Sequence, residues 1–151
     1  MEIKAADVMK LRKMTGAGMM DCKKALQEAE GDFERAKDII REKGKLVVAK
    51  RSDRTATEGY VTTKIVGQKA YILCLACETD FVAQNSEFGA SANAILDIAI
   101  EADAADRDAL MAVKNAEGIT VEEMVTEKSG QTGEKVELAY YARIEAPYCV
   151  A

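Results

Sequence analysis

Residues 59–78 read GYVTTKIVGQKAYILCLACE and contain two strand-like runs separated by the pair Gly67-Gln68. A two-residue loop that opens with glycine suits a type II′ turn, because glycine adopts a positive φ at little cost. The second run, residues 69–78, is apolar on both of its alternating faces, which favours a strand in the middle of a sheet. This stretch therefore predicts a β-hairpin whose second strand is central.

Near the end of the chain, a third strand is predicted over residues 136–145. Apolar and polar residues alternate there, which indicates one inner and one outer face. The strand completes a three-stranded antiparallel sheet. Its expected inner face consists of Val136, Leu138, Tyr140, Ala142 and Ile144.

Helices are predicted between the hairpin and the third strand. Ser86 can cap a helix over 87–104, and a shorter helix is expected over 107–113. Thr120 with Glu123 forms a capping box for a further helix over 121–128. Helices on one face would cover the sheet, so the fold class is α+β.

The first 54 residues predict three short helices, because apolar side chains recur there at helical spacing. Residues 15–18 interrupt the pattern after the first helix. Gly31 follows the second helix, where a positive φ costs little, and Asp32 is a suitable N-cap for the third. Gly44 is expected to end the third helix. The expected buried residues are Val8, Leu11 and Met14, then Cys22, Ala25, Leu26 and Ala29, then Phe33, Ala36, Ile39 and Ile40.

Charge divides the chain near residue 54. Residues 1–54 hold 14 Lys and Arg against 10 Asp and Glu, whereas residues 55–151 hold 7 against 16. Residues 45–57 are basic and polar without clear periodicity, which indicates a linker. We therefore expect two domains, a helical one over 1–54 that includes this linker and an α+β one over 55–151.

Composition narrows the function classes. The chain is 48% apolar and 31% charged and contains no histidine, so the commonest general base and metal ligand are missing. Its longest apolar run, residues 70–77, is about a third of what a membrane-spanning helix needs. The mildly basic first segment falls short of the charge of a dedicated nucleic-acid binder. These features predict a cytoplasmic, soluble protein and disfavour an enzyme.

Cys74 and Cys77 match a C-x-x-C spacing, which can indicate a redox or zinc site. On a strand, residues three apart point to opposite faces, so these thiols cannot share one metal or form an unstrained disulfide. Reduced structural cysteines are expected, and a redox role at this pair is the alternative enzyme interpretation. The acidic residues Asp103, Asp106, Asp108, Glu122 and Glu123 lack the spacing of a calcium loop and are interpreted as solvated helix ends.

Met19 and Met20 are adjacent at the start of the second predicted helix, so their side chains point about 100° apart. One small core cannot bury both, and at least one should be exposed. Two interpretations fit: Met20 fills a gap in the core with Met19 over it, or the pair offers an adaptable apolar contact to a partner.

The loop over 78–85, ETDFVAQN, places Phe81 in a short polar connection between a strand and a helix. In one interpretation Phe81 or Val82 folds back onto the following helix and Asp80 caps a turn. In the other, Phe81 projects beside a carboxylate and can wedge into a partner.

Two motifs carry a resemblance to a known family. Residues 15–26 read TGAGMMDCKKAL and residues 77–83 read CETDFVA, and together they resemble the bacterial elongation factor Ts family in sequence, order and separation. The resemblance implies that the first motif lies in a ubiquitin-associated-like helical domain. It implies that the second lies at a strand-to-helix connection in the first half of the core.

The resemblance implies a guanine-nucleotide exchange factor for elongation factor Tu, with the GDP-bound G domain as the partner. It implies docking on that domain through Arg12, Met19, Met20 and Lys23. The loop of Thr79, Asp80, Phe81 and Val82 is implied to enter between G-domain helices, where Asp80 and Phe81 disturb the Mg²⁺ site. No cofactor, metal ligand, catalytic residue, nucleic acid, membrane or small-molecule substrate is expected. A helical protein-binding module without exchange activity is the alternative.

The resemblance covers nearly all of this chain but only part of the family's architecture. Chains of the family continue into a second half of the core, which is expected to be missing here. We therefore expect weaker binding to Tu than a complete factor shows. An unpaired strand edge, or an apolar patch where the missing half should dock, could also drive self-association.

Overall fold

The computed structural model describes residues 2–149 and confirms the α+β class. The helices and strands, in chain order, are α1 Ala5–Thr15, α2 Met19–Glu28, α3 Phe33–Lys50, β1 Glu58–Val66, β2 Lys69–Cys77, α4 Asp80–Ala83, α5 Ser86–Ala102, α6 Arg107–Met111, α7 Val121–Thr132 and β3 Glu137–Glu145. None of the helices in this described range is both long and apolar enough to cross a membrane.

These elements divide into two compact units. The helical unit comprises residues 2–53 together with Thr126–Glu134, and the sheet unit comprises residues 54–125 and 135–149. Residues 126–134 therefore belong to the same unit as the first three helices, which the sequence did not suggest. The assignment of 1–54 and 55–151 as domains stays a prediction.

In the sheet unit, the antiparallel sheet has the order β1-β2-β3, with β2 central as predicted. In the two-residue loop between β1 and β2, Gly67 has a φ of +61° and Gln68 does not have a positive φ. This is the pattern of a type II′ turn. One face of β2 packs against α5, where Phe88 and Ile95 are buried. The predicted hairpin is therefore confirmed.

A β-bulge in β3 changes which side chains face the core. The register shifts between Cys74 and Leu75 because Ala139 is an extra residue on β3. Leu138 and Tyr141 are both buried as a result. The predicted inner face is wrong beyond the bulge, for Tyr140, Ala142 and Ile144, which lie on the opposite face.

The predicted helix caps are largely confirmed. Asp32 Oδ1 accepts hydrogen bonds from the backbone N–H of Glu34 and Arg35 at 2.9 and 3.1 Å. Glu123 Oε2 accepts the Thr120 N–H at 2.8 Å, and Thr120 Oγ1 accepts the Glu123 N–H at 3.1 Å. These bonds satisfy N–H groups that have no partner within their helices.

Two local predictions are wrong. Asn85, rather than Ser86, caps α5, because its Oδ1 accepts the Glu87 N–H at 2.9 Å. Met14 is exposed rather than buried with Val8. A spacing of three residues turns a helix by about 300°, so each step leaves the buried face by about 60°.

The third helix does not end at Gly44 but continues to Lys50, so the predicted linker cannot begin at residue 45. A Cβ on Gly44 would lie 2.9 Å from the Thr126 carbonyl oxygen, and one on Gly130 would lie 2.8 Å from the Gly44 Cα. Helices α3 and α7 therefore cross with their backbones in contact inside the helical unit. Gly44 permits this close approach because it has no side chain. In the sequence, a glycine of this kind cannot be told apart from one that ends a helix.

Candidate protein-contact site

The loop that contains Phe81 is built as one turn of helix. Helix α4, Asp80–Ala83, begins three residues after β2 ends, and Thr79 Oγ1 accepts the Val82 N–H at 3.4 Å. Thr79 rather than Asp80 is therefore the cap. The buried Cys77 thiol donates to the Thr79 carbonyl oxygen at 3.2 Å and joins the cap to the end of the strand.

The side chains of α4 separate into two sets. Val82 and Ala83 pack against the core of the sheet unit, whereas Phe81 is 84% exposed. Asp80 is also exposed. Of the two interpretations of the loop, Val82 follows the structural one and Phe81 projects into solvent. A large exposed aromatic side chain on a packed turn is suited to an apolar contact with another protein.

The predicted docking residues lie around the turn between α1 and α2. Gly16 ends α1 with a φ of +68°, and its N–H donates to the Arg12 carbonyl oxygen at 2.7 Å. Met19 and Met20 begin α2 and are 41% and 63% exposed, so neither fills the core. Arg12 and Lys23 are exposed as well. The predicted loop residues 79–82 lie in the sheet unit, whereas these docking residues lie in the helical unit.

The cysteines of the C-x-x-C spacing lie on opposite faces of β2, as their spacing predicts. Cys77 is buried in the core with Leu75, whereas Cys74 is half-buried on the other face. Burial raises the pKa of the Cys74 thiol, which lowers its reactivity. All four cysteines are reduced thiols, and residues 2–149 contain no group of three or more side chains placed to hold a metal ion.

Asp103, one of the predicted acidic helix ends, joins three other side chains. It follows α5 with a φ of +49° and accepts hydrogen bonds from Lys69 Nζ at 2.7 Å and Tyr71 Oη at 2.8 Å. Arg143 lies 3.1 Å from the same carboxylate. These donors, Lys69 first and Tyr71 next, lower the pKa of Asp103 to about 2. The carboxylate therefore joins the end of α5 to β2 and β3, although its side chain is still 40% exposed.

We expect Asp103→Asn to lower the melting temperature at neutral pH and to flatten its fall in acid. The pKa of Asp103 is lowered from 3.8 to about 2, so its contribution is complete above about pH 4 and disappears as the pH falls towards about 2. Asparagine tolerates a positive φ, so the substitution changes charge with little backbone cost. Melting curves from neutral pH to about pH 2 should converge at the acid end.

The matched control is Asp97→Asn. It removes an exposed ion pair with Lys64, whose charged atoms are 3.5 Å apart, and should change the melting temperature little. An Asp103→Asn curve that stays parallel to the wild-type curve down to about pH 2 would contradict the assignment.

Sequence reasoning missed part of the exposed apolar surface. Met14 and Met9 of the helical unit are exposed in addition to Met19 and Met20. In the sheet unit, Tyr140 and Ile144 are exposed on the face opposite the core because of the bulge in β3. The exposure of Met14 is predictable from the 100° turn per helical residue, which places it far from Val8 around α1. No local signal in the sequence marks the bulge.

The fold is α+β, and its candidate site consists of exposed apolar side chains of the kind that suits contacts with other proteins. Residues 78–150, which include the whole Phe81 loop from Thr79 onward, match the family described as Elongation factor TS. The chain is 52% identical over 98% of its length to Elongation factor Ts of Parabacteroides distasonis, 51% over 96% to that of Bacteroides thetaiotaomicron, and 49% over 95% to that of Porphyromonas gingivalis.

The chain belongs to the elongation factor Ts family, which confirms the resemblance seen in its two motifs. It covers 45%, 44% and 53% of these three relatives, so it spans about half the length of the curated relatives it matches.

Proposed function

We propose that the chain acts in the cytoplasm as a guanine-nucleotide exchange factor for elongation factor Tu, or as a portion of one. The observation that carries this proposal is the exposed Phe81 on a turn whose neighbours Val82 and Ala83 pack against the core. The family match includes this turn. No covalent chemistry is required, because the chain acts by changing the binding of a nucleotide to its partner.

The proposed mechanism is displacement of Mg²⁺ in the G domain of GDP-bound Tu. Phe81 supplies apolar volume that can push a pair of helices apart, and the exposed Asp80 brings a negative charge beside it. Thr79 stabilises the turn as its N-cap, and Val82 attaches the turn to the core by packing against it. Mg²⁺ is the largest local positive charge at the nucleotide phosphates, so a small displacement weakens GDP binding strongly.

This mechanism is a coupling between two ligands of Tu. If the exchange factor weakens GDP binding, GDP must weaken binding of the factor by the same ratio. A thousandfold ratio corresponds to roughly 4 kcal/mol. Shape and position of the Phe81 side chain can supply this energy, and no titrating group is needed.

The exposed methionines of the helical unit are the proposed docking contact. Met19 and Met20 lie side by side at the start of α2, and flexible methionine side chains adapt to an apolar partner surface. The exposed Arg12 and Lys23 supply charge around them. We assign this unit the role of the ubiquitin-associated-like domain of the family.

The test is release of a fluorescent GDP from Tu while the chain is titrated. We expect the rate to rise with chain concentration, and to need roughly tenfold more of a Met19→Ala/Met20→Ala variant for half its maximum. The maximal rate should be unchanged, because docking precedes the action of Phe81. Stopped-flow fluorescence measures both quantities.

The control is Met9→Ala, which removes an exposed methionine from α1 of the same unit and should leave the titration unchanged. A release rate independent of chain concentration would overturn the proposed function. If the chain binds Tu without accelerating release, the alternative of a binding module would replace it.

A further inference from the structure

Helix α4 is too short to hold its own direction. It contains four residues, Asp80–Ala83, and one turn of helix is unstable in isolation because nucleation is unfavourable. The direction in which Phe81 points therefore depends on how the turn is attached to the rest of the sheet unit. The first kind of attachment is local along the chain and consists of the Thr79 cap, the Cys77 thiol that donates to the Thr79 carbonyl oxygen, and the Asn85 cap of α5. The second is the packing of Val82 and Ala83 against the core.

A third attachment comes from a distant segment of the chain. The Glu78 carboxylate oxygen Oε1 accepts a hydrogen bond from the backbone N–H of Lys135 at 2.7 Å, across 57 residues of sequence. Both residues are half-buried. A carboxylate acceptor makes this bond roughly twice as strong as one between neutral groups.

The position of this bond in the sheet explains its effect. The pairing of β2 with β3 ends at Ala76 and Glu137, and two residues further along the same register Glu78 lies opposite Lys135. There the Glu78 side chain bonds to the backbone of the segment that leads into β3. The backbone of Glu78 leaves the sheet and enters the loop, while its side chain remains bonded to Lys135 just before β3.

The Lys135 end of the bond is itself held in place. Its Nζ donates to the Arg54 carbonyl oxygen at 3.0 Å and lies 4.0 Å from the Glu137 carboxylate. The acceptor on Glu78 therefore contacts a backbone segment that is fixed at the edge of the sheet. This is a firm attachment point for the residue immediately before the cap of α4.

We propose that Glu78 is a positioning residue for Phe81: its hydrogen bond to the Lys135 N–H sets the direction of α4 and hence of the exposed ring. This inference rests on the proposed function only for its consequence, which is the rate of GDP release from Tu. The geometric claim concerns the chain by itself and can be tested without Tu.

The geometric test uses tryptophan at position 81. The chain contains no tryptophan, so Phe81→Trp introduces a single fluorescent probe on α4. We expect Glu78→Ala in this background to lower the fluorescence anisotropy, because the ring gains local motion. Glu78→Gln keeps an oxygen acceptor and should restore the value. Glu87→Ala, which removes the same charge from an exposed site nearby, should leave it unchanged.

The functional test is a double-mutant cycle read by GDP release. Glu78→Ala alone should slow release roughly three- to tenfold, and Glu78→Gln should stay within about twofold of the wild type. In a Phe81→Ala background Glu78→Ala should have no further effect, since Glu78 acts through the ring.

The outcomes separate the two proposals. Unchanged anisotropy in Glu78→Ala, or an equal loss in Glu87→Ala, would overturn the positioning role whatever Tu does. An equal slowing by Glu78→Ala with and without Phe81 would also overturn it. If the wild-type chain does not accelerate release, the proposed function fails, while the anisotropy still decides whether Glu78 positions the turn.

Discussion

Replacement of Phe81 by alanine is expected to slow GDP release from Tu about thirtyfold while the melting temperature of the chain stays the same. Truncation of an aromatic contact at the centre of an interface commonly costs roughly 2 kcal/mol or more, which corresponds to that factor. The ring is 84% exposed in the unbound chain, so its loss removes little packing. Stopped-flow release and a thermal melt measure the two effects separately.

The matched control for Phe81→Ala is Tyr148→Ala. Tyr148 is also an exposed aromatic residue of the sheet unit, with 90% exposure, and it lies outside the loop. Its replacement should change neither release nor melting. Equal release by the wild type and Phe81→Ala would exclude Phe81 as the residue that drives exchange.

Gly130→Ala is expected to destabilise the helical unit by roughly 1–3 kcal/mol, and Gly130→Leu by more. The added Cβ would lie 2.8 Å from the Gly44 Cα, closer than two non-bonded carbon atoms approach. Helix propensity alone predicts the opposite sign, a gain of about 1 kcal/mol for alanine over glycine. The sign of the change therefore distinguishes the close helix crossing from an ordinary helical glycine.

The measurement is chemical denaturation followed by far-ultraviolet circular dichroism, with Ala49→Gly as the control. Ala49 is exposed in α3, so this control reports the propensity difference without a packing contact. A Gly130→Ala chain more stable than the wild type would show that α3 and α7 do not meet at these glycines.

The location of the candidate site is predictable from the sequence, but the direction of its side chains is not. The loop at Phe81 and the pair Met19 and Met20 were recognisable because each breaks a periodic pattern, and an unexplained apolar residue in a polar loop is a local signal. Which side chain projects was not predictable. Val82 turns inward and Phe81 outward because a short helix starts at Asp80, and its direction depends on contacts with Cys77 and Lys135.

Glu78 could not be identified from the sequence for the same reason. Its partner is a backbone N–H, which every residue except proline carries, and Lys135 is 57 residues away. No composition or spacing rule marks such a pair. The register of β2 and β3 brings them together.

Features whose causes lie within a few residues follow from the amino-acid sequence. The turn at Gly67, the cap at Asp32 and the capping box at Thr120 were all predictable, because each depends on one local φ or one short side-chain hydrogen bond. The hairpin and the α+β class follow from them and from hydrophobic periodicity.

Features that depend on a distant partner are visible only in the folded chain. Gly44 looks like a helix stop, yet Gly130 lies against it and α3 continues. Ala139 looks like any strand residue, yet its insertion opposite β2 reverses the faces of β3. In both cases the energy comes from atoms far apart in the chain, so local preference could not predict the result.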